Sequence, residues 1–352
     1  MNSIFQTKEW EQFKLQTGYQ KSYWLDDILV LQKDIALGRT MLYSPLVNEA
    51  QVESRKSKVE SEKFIEQIKK IAKENNSIFY RLELDIPATT DGQLPTGDEG
   101  IVRLAQDDKN RNIFVKSFEE MQPEHTLVLD LTKSEDDILA QMKQKGRYNI
   151  KQSEKHNVTV KKTRDIESFY KLYKLTAERQ KISFRNQTYF QKLIDLLEPK
   201  GYCEVFEASA PINVDETTRP DADHKNQDRN SKRNTSTDNL QPTTNQVLAT
   251  AIVTFYKGRA TYMFGSSSRE MRNVMAPYGL HFEIIKDAKS RGCREYDFFG
   301  VAPENEPNHP WAGVTAFKEK FGGERKELLG SYDMILKPFE YKIFKMAEKI
   351  RR

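Results

Sequence analysis

The stretch from Tyr262 to Lys320 holds the densest set of side chains that bear on chemistry. It contains a Tyr-Met-Phe-Gly run from Tyr262, three serines at Ser266–Ser268, and Lys318 inside Gly-Val-Thr-Ala-Phe-Lys-Glu-Lys-Phe-Gly-Gly. The serines have no Gly-x-Ser-x-Gly elbow and no adjacent base, which removes the usual route to a serine nucleophile. ATP-driven ligation is disfavoured because no Walker loop is present. Coenzyme A chemistry needs paired glycines at the turn opening a central helix, since a side chain there blocks the pyrophosphate. The corresponding segment, Arg272-Asn-Val-Met-Ala-Pro-Tyr-Gly279, lacks that pair. Cys203 and Cys293 and the five histidines show no metal-ligand spacing, so the expectation is two reduced thiols and no metal site. An acyl donor carrying its own activated ester fits what remains. On spacing alone, Lys318 is a helix lysine beside the apolar stripe Val314, Phe317 and Phe321.

The elements that must position these groups follow from the pattern of the chain. At 352 residues it has room for two domains of ordinary size. A charged share of 31% against 37% hydrophobic marks a soluble globular protein with polar insertions, and a net charge of +4 permits a polyanionic partner without demanding one. From about residue 158 the order reads β-α-α-β-β-β-α-β-α-β, an N-acetyltransferase-like arrangement. Its helix around His281, Ile284, Ile285 and Ala288 ends at Gly292, and Lys257-Gly258 joins two strands. The N-terminal part reads similarly: helix 7–17, strands near 19–25, 28–37 and 40–43, helix 52–73, strand 77–84, then strands near 112–117 and 126–131. The fold class is therefore α/β (α+β), two tandem GNAT-like domains.

Three segments stand apart. Residues 215–245 are polar and low in aliphatics, which predicts a disordered surface loop. Ser134–His156 begins with a capping signature and carries Lys143, Arg147, Lys151 and Lys155 four apart, either a phosphate-tracking stripe or a solvated face. The C-terminal segment sets Phe339, Ile343, Phe344 and Ile350 against Lys342, Lys345, Lys349 and Arg352. Docking onto the body of the protein is the expectation, with contact with an anionic membrane surface as the alternative.

In their order and spacing the motifs resemble the Fem family (FemABX) of non-ribosomal peptidyltransferases, over nearly the whole chain. They are Gln6-Thr-Lys-Glu-Trp10 with Lys14, Tyr43-Ser-Pro45, Tyr80-Arg-Leu-Glu-Leu-Asp85, Leu127-Val-Leu-Asp-Leu131, Lys145-Gly-Arg147, Thr176-Ala-Glu-Arg179, Tyr262-Met-Phe-Gly265, Tyr296-Asp-Phe-Phe-Gly300 and Phe317-Lys-Glu-Lys-Phe-Gly322. The resemblance implies a first domain over 1–156 that binds the acceptor and is completed by 337–352. A second domain then spans 157–336, with the disordered insertion at about 210–246. It implies an aminoacyl-tRNA as co-substrate, no cofactor, and a muropeptide acceptor, UDP-MurNAc-pentapeptide or lipid II. It further implies that Lys318 stabilises the tetrahedral oxyanion, and that Lys14, Tyr80, Asp85, Arg185, Tyr189, Tyr262 and Phe317 bind the acceptor. Relatives more often carry proline directly after the aspartate, where this chain has Ile86. The competing functions are a coenzyme-A-dependent N-acyltransferase and a non-catalytic muropeptide- or RNA-binding protein. With no apolar leader in MNSIFQTKEW, the expectation is a cytoplasmic monomer, with association at the cytosolic face of the inner membrane as a further reading.

Overall fold

The computed structural model describes residues 3–55, 57–88, 113–180, 184–212 and 245–351. Helix Lys8–Leu15 starts where the Thr7 hydroxyl accepts from the Trp10 amide at 3.1 Å. Strands β1 (Lys21–Leu25), β2 (Ile28–Asp34) and β3 (Thr40–Asn48) form an antiparallel run. A capped turn at Glu49–Glu53 and helix Lys58–Glu74 then cross to β4 (Ser77–Pro87), which lies parallel to β3. Next come β5 (Phe114–Lys116), β6 (His125–Asp130), helices Glu135–Gln141 and Gln144–Lys155, and β7 (Thr159–Thr163). Helices Ile166–Gln180 and Gln187–Leu197 lead to β8 (Cys203–Pro211), β9 (Asn245–Tyr256) and β10 (Arg259–Ser267). Helix Ala276–Ser290 crosses to β11 (Glu295–Asp297), parallel to β10, before helix Ala312–Lys318, β12 (Glu324–Ile335) and helix Pro338–Arg351.

The chain thus repeats one pattern: an antiparallel strand pair, a crossing helix and a parallel strand. The first copy is β2, β3 and β4; the second is β9, β10 and β11. One continuous sheet joins them in the order β1-β2-β3-β4-β12-β6-β11-β10-β9-β8-β7, with β5 also on β12. The closing strands are exchanged. Leu328–Ile335 of β12 lies against β4, whereas Glu324–Glu327 lies against β6, and β6 pairs with β11.

That exchange runs across the boundary expected at residue 156. Leu127, Leu129 and Leu131 around β6, and Ile138, Met142 and Ile150 on the two helices after it, share one core with Ile284, Ile285 and Tyr296 of the second half. With β12 occupying the edge of β4, β6 finds its partner edge at β11. The C-terminal contribution to the first half likewise begins within β12, before residue 337. A second core lies between β4 and helix Lys58–Glu74. A third, rich in aromatics, joins the halves through Trp10, Phe13, Tyr43, Phe169 and Phe190.

Smaller differences have local causes. The capped segment 134–156 holds two helices, because Met142 turns extended (ψ 146°) to bury its side chain. β11 ends at Asp297, whose carboxylate accepts from the Phe299 amide at 2.8 Å and sets a turn. The loop expected over 215–245, apart from Asn245, lies outside the described residues. The ends of the wider span, 210–246, are strand: Pro211 pairs with Asn245 and Ala210 with Gln246. Among the described residues no helix is long and apolar enough to cross a membrane.

Candidate active site

Lys318 ends helix Ala312–Lys318 and is 5% exposed. The helix is held from below, the Thr315 hydroxyl accepting from the Ala302 amide at 2.8 Å. The Lys318 ammonium donates to the carbonyls of Gly300 at 2.7 Å and Phe299 at 3.3 Å. Those carbonyls converge because Phe299 takes a left-handed conformation (φ 58°), fixed by the Asp297 carboxylate, which also accepts from the Thr126 hydroxyl. Burial lowers the Lys318 pKa to about 8, and the Asp297 charge opposes the shift. The group is an ammonium at neutral pH, poised close to losing its proton.

The surroundings of Lys318 form the mouth of a split in the sheet. β10 and β11 pair only over Arg259–Thr261 and Glu295–Asp297, and β10 then runs on to Ser267 beyond the end of β11. A register shift between Tyr262 and Phe264 marks a bulge here. Tyr262 packs on His281 with ring centroids 4.5 Å apart, and its ring lies 5.7 Å from the Lys318 ammonium. Gly265 is needed there, since an added Cβ would meet the Tyr262 hydroxyl at 1.6 Å. Phe317 closes the other side against Tyr278 at 5.0 Å and Phe321 at 5.5 Å. His281 is buried beside the Tyr296 hydroxyl at 2.9 Å; burial and the Lys318 charge push its pKa down to about 3, so it is neutral.

A second group gathers where helix Lys8–Leu15 meets helix Gln187–Leu197. Lys14 lies over the Tyr19 ring at 4.8 Å, Arg185 lies over Tyr189 at 5.0 Å, and Tyr189 meets Phe13 edge-on at 4.9 Å. Burial, Arg185 and Lys33 lower the Lys14 pKa to about 7, against the pull of Glu83. An adjoining cleft of about 350 Å³ is lined by Arg185, Tyr189, Asn186 and Lys192 among others. Lys14, Lys33 and Arg185 bring like charges together, offset only in part by Glu83, a setting that favours an anion.

Asp85 stands between the two groups. Its carboxylate is held by Arg259 at 2.9 Å, and Arg259 also reaches Glu295 at 3.2 Å. Arg259 and Asp85 both act on Asp297, whose pKa burial raises, and Asp297 acts on Lys318. A chain of charges therefore links the first half to the lysine.

The structure separates Tyr80 from these residues. Tyr80 is fully buried between Phe64 and Phe114, its hydroxyl on Ser44 at 3.0 Å, in the core under helix Lys58–Glu74. It is an even-numbered residue of β4, so it faces away from Arg81, Glu83 and Asp85. Its side chain is therefore not brought together with the other residues expected to bind the acceptor. Glu83, which the sequence reading passed over, faces the inter-half side instead. Burial raises its pKa to about 7, although Tyr43, Ser331 and the amides of Met121 and Gln122 all donate to it. Strand alternation from Asp85 was the signal that could have found it.

Three exposed arginines were also missed. Arg179 is lowered by burial and then by Arg269 and Arg272, which places like charges together where β10 ends and helix Ala276–Ser290 begins. The turn between them has Met271 and Met275 at φ 47° and 56° in place of glycines. Of the basic stripe on 143–155, Lys143 is paired with Glu319 at 3.1 Å and Arg147 caps the Ala140 and Met142 carbonyls, while Lys151 and Lys155 are exposed. Among the described residues no cluster of His, Cys, Asp or Glu has the makings of a metal site.

Comparison with known proteins bears on this geometry. The model of the FemAB family matches residues 1–218 and 204–349. A lipid II:glycine glycyltransferase of Staphylococcus haemolyticus is 24% identical over 91% of this chain and 83% of its own length. One from Staphylococcus epidermidis is 22% identical over 80% and 74%. The crystal structure of FemX superposes with a TM-score of 0.74 at 18% identity, covering 97% of this chain and 94% of that one. The C-terminal domain of a putative lysylphosphatidylglycerol synthetase from Agrobacterium fabrum shares the fold at a TM-score of 0.52 and 11% identity, over 94% and 88%.

Proposed function

The chain belongs to the FemAB family, and on that premise we propose that it is an aminoacyltransferase of peptidoglycan cross-bridge synthesis. It moves an amino acid from an aminoacyl-tRNA to the stem-peptide amine of a precursor. The observation that carries this reading is Lys318, a buried ammonium held by two carbonyls at the mouth of the β10–β11 split. An aminoacyl ester needs no further activation; the enzyme must orient the amine and stabilise charge on the ester oxygen. The amine nitrogen attacks the ester carbonyl and forms a C–N bond. Negative charge develops on the carbonyl oxygen facing Lys318. As the tetrahedral centre collapses, the ester C–O bond breaks and the proton lost by the amine goes to the departing ribose oxygen.

The acceptor, which the names of the relatives suggest is lipid II, would set its diphosphate against Lys14 and Arg185. Arginine suits that task because its planar fork binds phosphate bidentately. Asp85, held by Arg259, fixes the charge chain that ends at Lys318. The donor's phosphates would meet Arg179, Arg269 and Arg272. A coenzyme A donor is disfavoured by Met271 and Met275 standing where the cradle requires glycine.

Purified protein given a charged tRNA pool and a pentapeptide precursor, lipid-linked or UDP-linked, should transfer a labelled amino acid without ATP or coenzyme A. Transfer from acetyl-coenzyme A with none from any charged tRNA would sink the proposal.

A further inference from the structure

Helix Pro338–Arg351 has two unlike faces. Tyr341 and Phe344 pack on Phe79, at 5.3 and 5.5 Å, and on Phe118. On the opposite side Phe339, Ile343, Met346 and Ile350 are 73%, 44%, 65% and 84% exposed. Spacings of four, three and four residues put them in one strip along the helix. Isolated surface aliphatics are ordinary, but four in line are not.

Charge indicates what covers the strip. Lys342 and Lys349 run along one flank of it with Lys345 behind them, and none of the three takes part in an ion pair among the described residues. The helix's acids are engaged elsewhere, Glu340 with Arg39 at 3.4 Å and Glu348 with Arg351 at 2.6 Å. An apolar strip with a lysine flank complements a surface that is greasy inside and anionic at its rim. A second copy of the chain would bring its own lysine row against this one.

We propose that this helix lies on an anionic lipid surface, with Phe339, Ile343, Met346 and Ile350 immersed at the headgroup–acyl boundary and Lys342 and Lys349 against lipid phosphates. The placement deepens the reading of function given above. Arg351 and Glu348 lie close enough to act on Lys33, which in turn acts on Lys14. The lipid-facing helix therefore flanks the cation group assigned to the acceptor's diphosphate, at the level where a lipid-linked diphosphate resides.

The test uses the full chain and co-sedimentation with large unilamellar vesicles, either phosphatidylglycerol with phosphatidylethanolamine or phosphatidylcholine alone. The protein should pellet with the anionic vesicles and not with the neutral ones, and should release as salt is raised. Ile343→Ser/Met346→Ser/Ile350→Ser and Lys342→Gln/Lys349→Gln should each bind about tenfold more weakly with unchanged thermal unfolding. Cys203 and Cys293 are both buried, so a polarity-sensitive dye on Ile350→Cys should report the anionic vesicles by a blue shift. Equal binding by the triple serine variant, or no binding to anionic vesicles, overturns the proposal. So does a dimer in vesicle-free solution that the triple variant abolishes. Transfer to a water-soluble acceptor should survive in the triple variant, and a parallel loss there would assign the strip to the site instead. If the wild type transfers to no acceptor yet still binds vesicles, the reading of function fails while the lipid face stands.

Discussion

Lys318 shows how a site can be stored as an unfavourable charge. Burial lowers its folded pKa to about 8, below the ordinary lysine value of about 10.4, so folding disfavours the charged form. The sign follows: at neutral pH the ammonium costs stability, and that cost is relieved as pH rises through both values. At one pKa unit per 1.36 kcal/mol, the cost is about 3 kcal/mol as an upper figure. Lys318→Met should therefore leave the melting temperature unchanged or higher, since loss of the donor to Phe299 and Gly300 offsets only part of the gain. The same variant should lower kcat by about 100-fold or more with little change in acceptor KM. A wild-type turnover rate with the methionine in place would remove the lysine from the mechanism. The wild-type rate should also fall above about pH 8 as the ammonium titrates. Lys318→Arg, which does not titrate there, should retain part of the rate and lose that alkaline limb; an unaltered pH profile would count against the assignment.

At the scale of elements, backbone approach positions the lysine. Helix Gln144–Lys155 lies so close to the segment after Lys318 that a Cβ on Gly146 would meet the Lys320 carbonyl oxygen at 2.1 Å. Lys143 meets that same carbonyl through its amide at 3.1 Å. Gly146→Ala must push the helix away or distort the turn, and we expect a loss of about 1–3 kcal/mol and a lower melting temperature. A melting curve matching the wild type would show that the contact is looser than it looks. The family motif Lys145-Gly-Arg147 made this glycine visible in the sequence; its partner, 174 residues later in number, was not. The same limit applied throughout. Periodicity placed most helices and strands, and motif order placed Lys318, Tyr262 and Phe317 together. The motif Tyr80–Asp85 reads as a unit in the sequence, but strand alternation puts Tyr80 and Asp85 on opposite faces of β4. Pairing across the sheet was also illegible, because β6 is a short run buried on both faces that reads the same whichever edge it joins.

The whole molecule is tied by its exchanged strands. β12 closes the first half against β4 while its opening residues grip β6, and β6 closes the second half against β11. The salt bridge of Arg81 to Asp333, at 2.7 Å and fully buried, locks β12 onto β4, and Tyr341 donates to the same aspartate at 2.7 Å. A fragment of residues 1–156 should therefore show no cooperative thermal transition by circular dichroism, since it lacks the strand that covers β4 and leaves β6 without a partner. A sharp transition from that fragment would show that the halves are independent after all. The exchange also sets a timetable for synthesis. As the chain emerges from the ribosome, β4 must wait with an open edge until almost the last residues have been made. Throughout that interval the nascent first half is a template for wrong strands, and its protection has to come from slow collapse or from a chaperone rather than from its own sheet.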